Sequence, residues 1–484
     1  MEAQPPPPRT HSYKPAISMV AQPPPPNKWI SWLSQIYSSG KGPVLGTVDV
    51  QEIEDKAREV MKDNSTAYLY ALKSAGTCST DDANRKAFER WKLVPRMLKN
   101  VTLRNVETTI LGMKVSSPIF VGPVGKQGLV HADGELATAR AAAVVGVPMI
   151  VSSSSSRSLE DIAEANGPNG QRWYQFYWPR SSDVALSVLK RAKENGYTAL
   201  VITVDTMIIG WRSHDHRIGY SPAGHGFGVQ QGMADPVFMK RHGLAARHER
   251  PKFPFDQEDI RKKAAAGDEE TKQSIFLASQ WLAETGSGIF RTWDDLQFVK
   301  DNWDGPIVLK GIQAVNSHQD AEKAIDMGID GIVVSNHGGR QIDGAIGSLD
   351  ALDMIMRSQK VLDAQRSGRL TVLFDSGIRT GSDIIKALAI GAQGVLIARP
   401  IVYGLAIAGQ AGVEQILMQS ICDLHITMGL CGFSDVNDLT GKRDELLVKV
   451  DYGVGPHLDS LSPTSNADQV RTLCLPKEQK KKTV

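Results

Sequence analysis

A histidine and an arginine three residues apart stand out chemically in this chain, within Ser335-Asn336-His337-Gly338-Gly339-Arg340-Gln341. An imidazole titrates near neutrality and can accept a proton, and a guanidinium grips a carboxylate through two parallel N–H bonds. The glycine pair between them lets the backbone approach a ligand closely. Taken alone, the stretch reads equally well as a tight polar turn with a surface histidine. Its company argues otherwise: Ser152, Gln175 with Tyr177, Thr203 with Asp205, Lys310, Asp375 and Arg399 each lie at the end of a short apolar run elsewhere in the chain.

Those runs cover residues 118–121, 147–152, 172–177, 199–205, 306–310, 330–336, 370–375 and 393–398. Amphipathic segments alternate with them, clearest at 320–327 and 382–390, each followed by a glycine suited to a helix C-cap. Eight such runs, buried on both faces and separated by helices, predict an α/β fold, a (β/α)8 TIM barrel. Parallel closure would bring all of the polar strand ends to one rim, where barrels build their active sites. Segments 50–76 and 83–97 read as an N-terminal helical cap over one end.

After the fourth strand, residues 211–291 form an insertion far beyond the ~15 residues of ordinary connections, so a solvated, mobile lid is expected there. Its histidines (His214, His216, His225, His242, His248) lack a cysteine or acidic cluster at a ligating spacing, and no metal is expected. Residues 1–30 contain Ala-Gln-Pro-Pro-Pro-Pro at 3–8 and again at 21–26, and read as a disordered Pro-rich arm. Residues 451–484 read as a polar tail, which leaves 31–450 for the catalytic domain.

Bulk properties narrow the class. A net charge of +2 over 484 residues gives no footprint for nucleic acid. Cys78, Cys422, Cys431 and Cys474 are scattered, which argues against a disulfide scaffold and fits a reducing compartment. No apolar run is expected to cross a bilayer and no secretory h-region opens the chain, so a soluble cytoplasmic protein is expected.

The stretch 335–341 resembles the signature of the FMN-dependent α-hydroxy acid oxidases and dehydrogenases, and the likeness runs from about residue 50 to 439. Gly122-Pro123-Val124-Gly125 is similar to that family's backbone segment beneath the flavin ring. Thr203-Val204-Asp205-Thr206 with Gly210-Trp211-Arg212 looks like its fourth-strand motif. Val308-Leu309-Lys310-Gly311, Phe374-Asp375-Ser376-Gly377-Ile378-Arg379 and Ala398-Arg399-Pro400 complete the set. Gly339, the Gln341-x-Asp343-Gly344-Ala345 continuation and the long lid look most like the lactate 2-monooxygenase branch.

The resemblance implies FMN as cofactor, a small L-2-hydroxy acid as substrate, O2 as electron acceptor and a homotetramer or larger assembly. Oxidative decarboxylation, a separate electron acceptor and a flavin-free scaffold are the alternatives. Oxidising a hydroxy acid removes two protons and two electrons, so the protein must orient the acid and accept a proton while the flavin takes the electrons. His337 is then the base and Asp205 the carboxylate that fixes its tautomer and steadies its charged form. Arg212 and Arg340 clamp the substrate carboxylate, with Tyr177 and Tyr70 beside it.

Pro123, Val124 and Gly125 underlie the flavin, Ser152, Gln175 and Thr203 meet its polar edge, and Lys310 steadies negative charge at N1–C2=O. Ser335 and Asp375 lie at neighbouring strand ends. Ser376, Gly377, Arg379, Ala398 and Arg399, with the following helix N-terminus, hold the phosphate. No Gly-x-Gly-x-x-Gly opens a helix after the first strand, which disfavours a dinucleotide fold. Ser154 stands where plant-type glycolate oxidases carry a tryptophan, which would either leave room for a different or larger substrate or be refilled by lid residues. Lys73 replaces a more usual glycine after Tyr70, and Ser376 and Ala398 replace glycines that a negative φ would make dispensable.

Overall fold

In eight short strands, side chains alternate between a common centre and a surrounding shell of helices. The strands are β1 (Ile119–Val121), β2 (Met149–Ser152), β3 (Arg172–Phe176), β4 (Leu200–Thr203), β5 (Ile307–Ile312), β6 (Gly331–Val334), β7 (Thr371–Phe374) and β8 (Gly394–Ile397). They pair in parallel in chain order, and β8 closes the barrel onto β1. The structure is a computed structural model that describes residues 27–450, apart from 63–64, 218, 220, 254, 256 and 315–318. Most of the proline-rich arm, up to residue 26, and the tail from 451 lie outside the described residues.

One residue of each strand fills the barrel: Phe120, Ile150, Trp173, Val201, Val308, Val333, Leu373 and Leu396. Their neighbours, such as Ile119 with Val121 and Ile332 with Val334, pack outward against helices. Strand side chains alternate with a period of two, so a strand buried on both faces must be apolar throughout. The hairpin Thr108–Ile110 and Met113–Val115 inserts Ile110 and Val115 into the N-terminal mouth. With that end plugged, the C-terminal rim is left as the place for a ligand.

Four helices precede the barrel: α1 (Lys28–Ser39), α2 (Val50–Met61), α3 (Ser65–Leu72) and α4 (Ser79–Arg90). The first lies partly within the expected arm. Asn27 caps it by accepting from Ile30 N, and Trp29 is buried, so residues 28–30 belong to the folded unit. Segment 50–76 is two helices rather than one. The helix expected over 83–97 stops at Arg90, because Trp91–Leu93 turns into a strand antiparallel to Leu447–Lys449.

The expectation that no apolar run reaches bilayer length fails at helix Arg399–Leu430, whose 32 residues and window hydropathy of 1.3 satisfy that test. The helix breaks at Ala408 and Gly409, and most of that window is buried against neighbouring helices. Its apolar character answers to packing from several sides, which residue composition alone does not distinguish from contact with lipid.

The insertion also departs from the solvated flap. Helices Pro236–Arg241 and Glu269–Thr285 bury Phe238 against Trp281 edge to face, with centroids 5.1 Å apart. Phe227 stacks on Phe253 at 5.4 Å. Gly232 lies so close that a Cβ there would stand 2.2 Å from the Trp281 ring. Buried Asp235 caps the first helix and takes a 3.0 Å ion pair from Arg191 of the barrel shell. These aromatic side chains join the insertion to the apolar layer between the barrel and its helices.

Candidate active site

His337 and Asp205 come from the rim residues that follow β6 and β4, and β5 runs between those strands. Their side chains meet because β5 carries Gly311 at that height: a Cβ there would come within 2.7 Å of Asp205 Cβ. His337 Nδ1 lies 2.8 Å from Asp205 Oδ1. A carboxylate only accepts, so Nδ1 bears the proton and Nε2 keeps its lone pair. Thr206 Oγ1 donates to Asp205 Oδ1 at 2.6 Å and lies 3.1 Å from the same imidazole nitrogen. Nε2 has no protein partner among the described residues, and the ring lines the rim cavity.

Electrostatics suits the pair to a base. Burial lowers the His337 pKa and outweighs the upward pull of Asp205, with Lys310 and Arg212 also pressing it down. Burial acts on Asp205 in the opposite direction, but His337, Lys310 and Thr206 prevail and hold it at about 2. At neutral pH the site therefore holds a neutral imidazole on an ionised carboxylate. His337 itself has φ +58, followed by Gly338 at +63 and Gly339 at +75. A non-glycine residue in this region stores strain, which surrounding contacts must over-determine. Here they include Ser335 Oγ accepting from His337 N and Ser376 Oγ accepting from Gly338 N, both at 3.0 Å.

Two guanidinium groups share this wall of the cavity. Arg340 donates to the carbonyls of Tyr70 and Lys73 at 2.7 and 2.8 Å, and its Cζ lies 4.9 Å from the Tyr70 ring centroid. Arg212 donates to Arg340 O and to Gln341 Oε1, each at 3.2 Å. Neither forms an ion pair with a carboxylate among the described residues. Burial and the nearby charge of Arg212 press Arg340 down to about 9, which leaves it charged at neutral pH and short of an anion. Tyr70 arrives from α3 with its hydroxyl 3.4 Å from Gly125 O. Burial, followed by the charge of Asp205, raises the Tyr177 phenol, so it stays protonated as a donor.

The remaining cavity wall divides into a platform and a cationic end. Pro123, Val124, Gly125 and Ser152 line it, as do Lys310, Asp375, Ser376, Gly377, Arg379, Ala398 and Arg399. Its empty space, open mouth included, is about 1470 Å³, enough for a mononucleotide and a small acid together. Lys310 Nζ pairs with Asp375 Oδ2 at 3.1 Å and donates to Ser335 Oγ at 3.0 Å. Burial opposes its charge, but Asp375 and Asp205 outweigh that and raise its pKa.

At the other end, the Arg379 guanidinium donates only to Ile378 O, and the Gly377 and Ile378 amides have no protein acceptor among the described residues. Unfilled donors around a guanidinium suit a phosphate. The residues present thus fit a flavin mononucleotide: a backbone platform, a cation near one edge and an anion grip at the end.

Several expectations are corrected by these contacts. The N-terminal amides of helix Gly381–Ile390, expected to face the phosphate, are already taken. Asp383 Oδ2 accepts from Arg379 N at 3.0 Å and Thr380 N at 3.2 Å, while Asp423 accepts from Gly381 N at 2.5 Å. Arg399 reaches the cavity but is paired with Asp81 at 2.9 Å and donates to Ser74 Oγ and Gly338 O, which ties α4 to the rim.

Ser376 has φ +83, not the negative value that would make its replacement of glycine free, whereas Ala398 does have a negative φ of −117. Hydrogen bonds from Ser376 Oγ to Asp375 and from Gly338 N to Ser376 Oγ offset that strain. Gln175, Thr203 and Ser335 stand behind the cavity wall: Gln175 Nε2 donates to Thr203 Oγ1 at 3.0 Å, and Ser335 holds Lys310 and His337. Asp205 likewise acts from behind His337.

Other participants carried no assigned role in the sequence. Thr206 contacts both members of the proton-accepting pair. Gln341 Oε1 accepts from Gly210 N and Arg212, and its Nε2 donates to Asp205 O and Ile208 O, so one amide joins the loops after β4 and β6. Asp343, part of the branch motif, accepts from the amides and hydroxyls of Thr77 and Ser79 and anchors the start of α4. Ile209, just before the insertion, and Leu282, Thr285 and Gly286 within it line the cavity that Ser154 also lines. Thr206, Gln341 and Asp343, inside motifs already singled out, offered a signal in the sequence; the insertion residues offered none.

The FMN-dependent dehydrogenase family model matches residues 57–445. An FMN-dependent alpha-hydroxy acid dehydrogenase, qulF, of Penicillium citrinum is 42% identical over 418 residues, 86% of this chain and 95% of its own length. An L-lactate oxidase of Lysinibacillus sphaericus is 37% identical over 79% of this chain and 88% of its own. A crystal structure of mandelate oxidase superposes with a TM-score of 0.65 at 34% identity, covering 84% of this chain and 99% of that one. Agreement over nearly all of the barrel, together with the mononucleotide-shaped rim, places this chain in the FMN-dependent dehydrogenase family.

Proposed function

We propose that the chain oxidises a small L-2-hydroxy acid to the 2-keto acid and passes the electrons to O2. FMN, when bound, supplies the acceptor for the two electrons that leave the substrate. Arg212 and Arg340 bind the substrate carboxylate, and Tyr177 donates to the same end of the acid. His337 Nε2 accepts a proton released in the oxidation, and Asp205 with Thr206 steadies the imidazolium that results. Leu282, Thr285 and Gly286 of the insertion help to close the cavity against water. The observation that carries this reading is an Nε2 without a partner among the described residues, in the same cavity wall as two guanidinium groups that have no carboxylate among them.

Anaerobic mixing of the flavoprotein with a panel of L-2-hydroxy acids tests it: bleaching of the flavin band is expected with L isomers, then peroxide on admitting air. Failure of every acid to bleach the flavin would overturn the proposal. Bleaching without reoxidation by air would favour a separate acceptor, the reading supported by the dehydrogenase names among the relatives. Loss of CO2 would favour the oxidative decarboxylation that the long insertion suggests. We likewise propose a homotetramer or larger assembly in a reducing, cytoplasmic setting; the free, buried Cys422 and Cys431 support the reducing environment.

Asp205→Asn is expected to slow flavin reduction about tenfold to a hundredfold, because an amide stabilises an imidazolium poorly. The pH profile supplies the sign. Asp205 pulls the His337 pKa up, so its loss moves the acid limb of kcat/KM to lower pH. An acid limb that stays in place or rises would separate Asp205 from His337.

A further inference from the structure

The cavity holds more positive charge than a monocarboxylic acid and a phosphate require. Lys310 is paired with Asp375, and Arg399 with Asp81. Arg379 stands with the open amides at the phosphate end, while Arg212 and Arg340 stand together at the other. One cation of the wall is left over. Lys126 lines the cavity, is half-buried, and has no carboxylate or carbonyl partner for its ammonium among the described residues.

Lys126 is held in position. Its amide donates to Ser154 O at 3.0 Å. Its stem runs along Gly228 of the insertion, where an added Cβ would come within 2.7 Å of Lys126 Cγ. Its Nζ lies 5.6 Å from the Tyr70 ring centroid, and the Arg340 guanidinium lies 4.9 Å from the same centroid. The charge therefore faces the substrate end of the cavity, separated from Arg340 by no more than those two distances combined.

The backbone does not account for a lysine here. Its φ is +60, a conformation that glycine adopts freely and that strains other residues. The contact with the tyrosine face, at 5.6 Å, offsets little of that strain. With Asp375, the acid of the wall, already paired to Lys310, a half-buried ammonium that has no carboxylate partner among the described residues suits a second anion. Ser154, whose side chain is small, lines the cavity next to it.

We propose that the substrate is a short dicarboxylic 2-hydroxy acid, with its C1 carboxylate on Arg212 and Arg340 and its distal carboxylate on Lys126. This rests on the hydroxy-acid reading above. The distal carboxylate takes no part in the oxidation; it selects the substrate and fixes its orientation.

The test uses the FMN-loaded full chain under anaerobic conditions, with L-malate and L-2-hydroxyglutarate compared with L-lactate and L-2-hydroxybutyrate. At least one diacid is expected to reduce the flavin with a ratio of reduction rate constant to Kd about tenfold or more above that of its monocarboxylic counterpart. Lys126→Met should lower that ratio by about tenfold, and Lys126→Arg should retain most of it. A readout free of turnover comes from succinate and propionate, which are not 2-hydroxy acids, titrated against the flavin absorption band. Succinate should bind more tightly than propionate, and Lys126→Met should remove that preference. Monoacids reducing the flavin better than both diacids, or a ratio unmoved by Lys126→Met, would overturn the diacid assignment alone. No reduction by either class would overturn the hydroxy-acid reading and this inference with it.

Discussion

His337→Gln is expected to keep FMN bound, with its visible spectrum intact, yet reduce that flavin about a hundred- to ten-thousandfold more slowly. Glutamine retains a polar side chain of comparable reach but cannot take up a proton near neutral pH. Neither Lys310 nor Tyr177, two other proton-bearing groups of the cavity wall, is placed to substitute. Lys310 is held charged by Asp375 and Asp205, and burial keeps the Tyr177 phenol protonated. The left-handed backbone at residue 337 constrains glutamine as it does histidine, so a collapse of the fold is not expected to accompany the loss.

The wild-type pH profile provides a second check. A base must be deprotonated to act, so kcat/KM rises with pH through the His337 pKa, which burial places below its ordinary 6.5. The enzyme is then on its plateau at pH 7, and His337→Gln loses the acid limb altogether. Flavin reduction in His337→Gln within a few-fold of wild type would remove the imidazole from the proposed chemistry.

Arg340→Met is expected to lower kcat/KM by about a hundred- to a thousandfold, the loss expected when one member of a desolvated charge pair is removed. Arg340 performs two tasks that a neutral side chain cannot. Its charge meets the substrate carboxylate, and its bonds to the carbonyls of Tyr70 and Lys73 hold the end of α3 against the rim. Arg340→Lys separates these tasks. Lysine keeps the charge but lacks the planar fork, so it should recover only a small part of the loss, chiefly in KM. Stopped-flow reduction across substrate concentrations measures both terms. A lysine variant with wild-type KM and rate would show that a point charge suffices and that the fork plays no part.

How much of this site could be read from the chain differs from residue to residue. The doubly buried strands announced themselves as continuous apolar runs, and all eight lie within a few residues of their expected bounds. A parallel barrel sends every strand end to one rim, so the strand assignment itself predicted that His337, Lys310, Tyr177 and Asp375 would converge. The insertion was misread because its aromatic residues lack a regular period. Phe227, Phe238, Phe253 and Trp281 find one another only after short helices turn the chain. Helix Arg399–Leu430 was misjudged for a related reason, since apolar length does not say what surrounds it.

What the sequence determined by itself was the kind of chemistry and the side of the barrel on which it occurs. Residue type specifies proton affinity and charge, and strand periodicity specifies direction. Tertiary structure alone decided which charges remain unmatched. Arg399 was paired off by Asp81, amides at the start of helix Gly381–Ile390 were taken by Asp383 and Asp423, and Lys126 was left without an acid among the described residues. Pairing depends on separations of a few ångströms between segments hundreds of residues apart, and Coulomb and hydrogen-bond energies change steeply over that range.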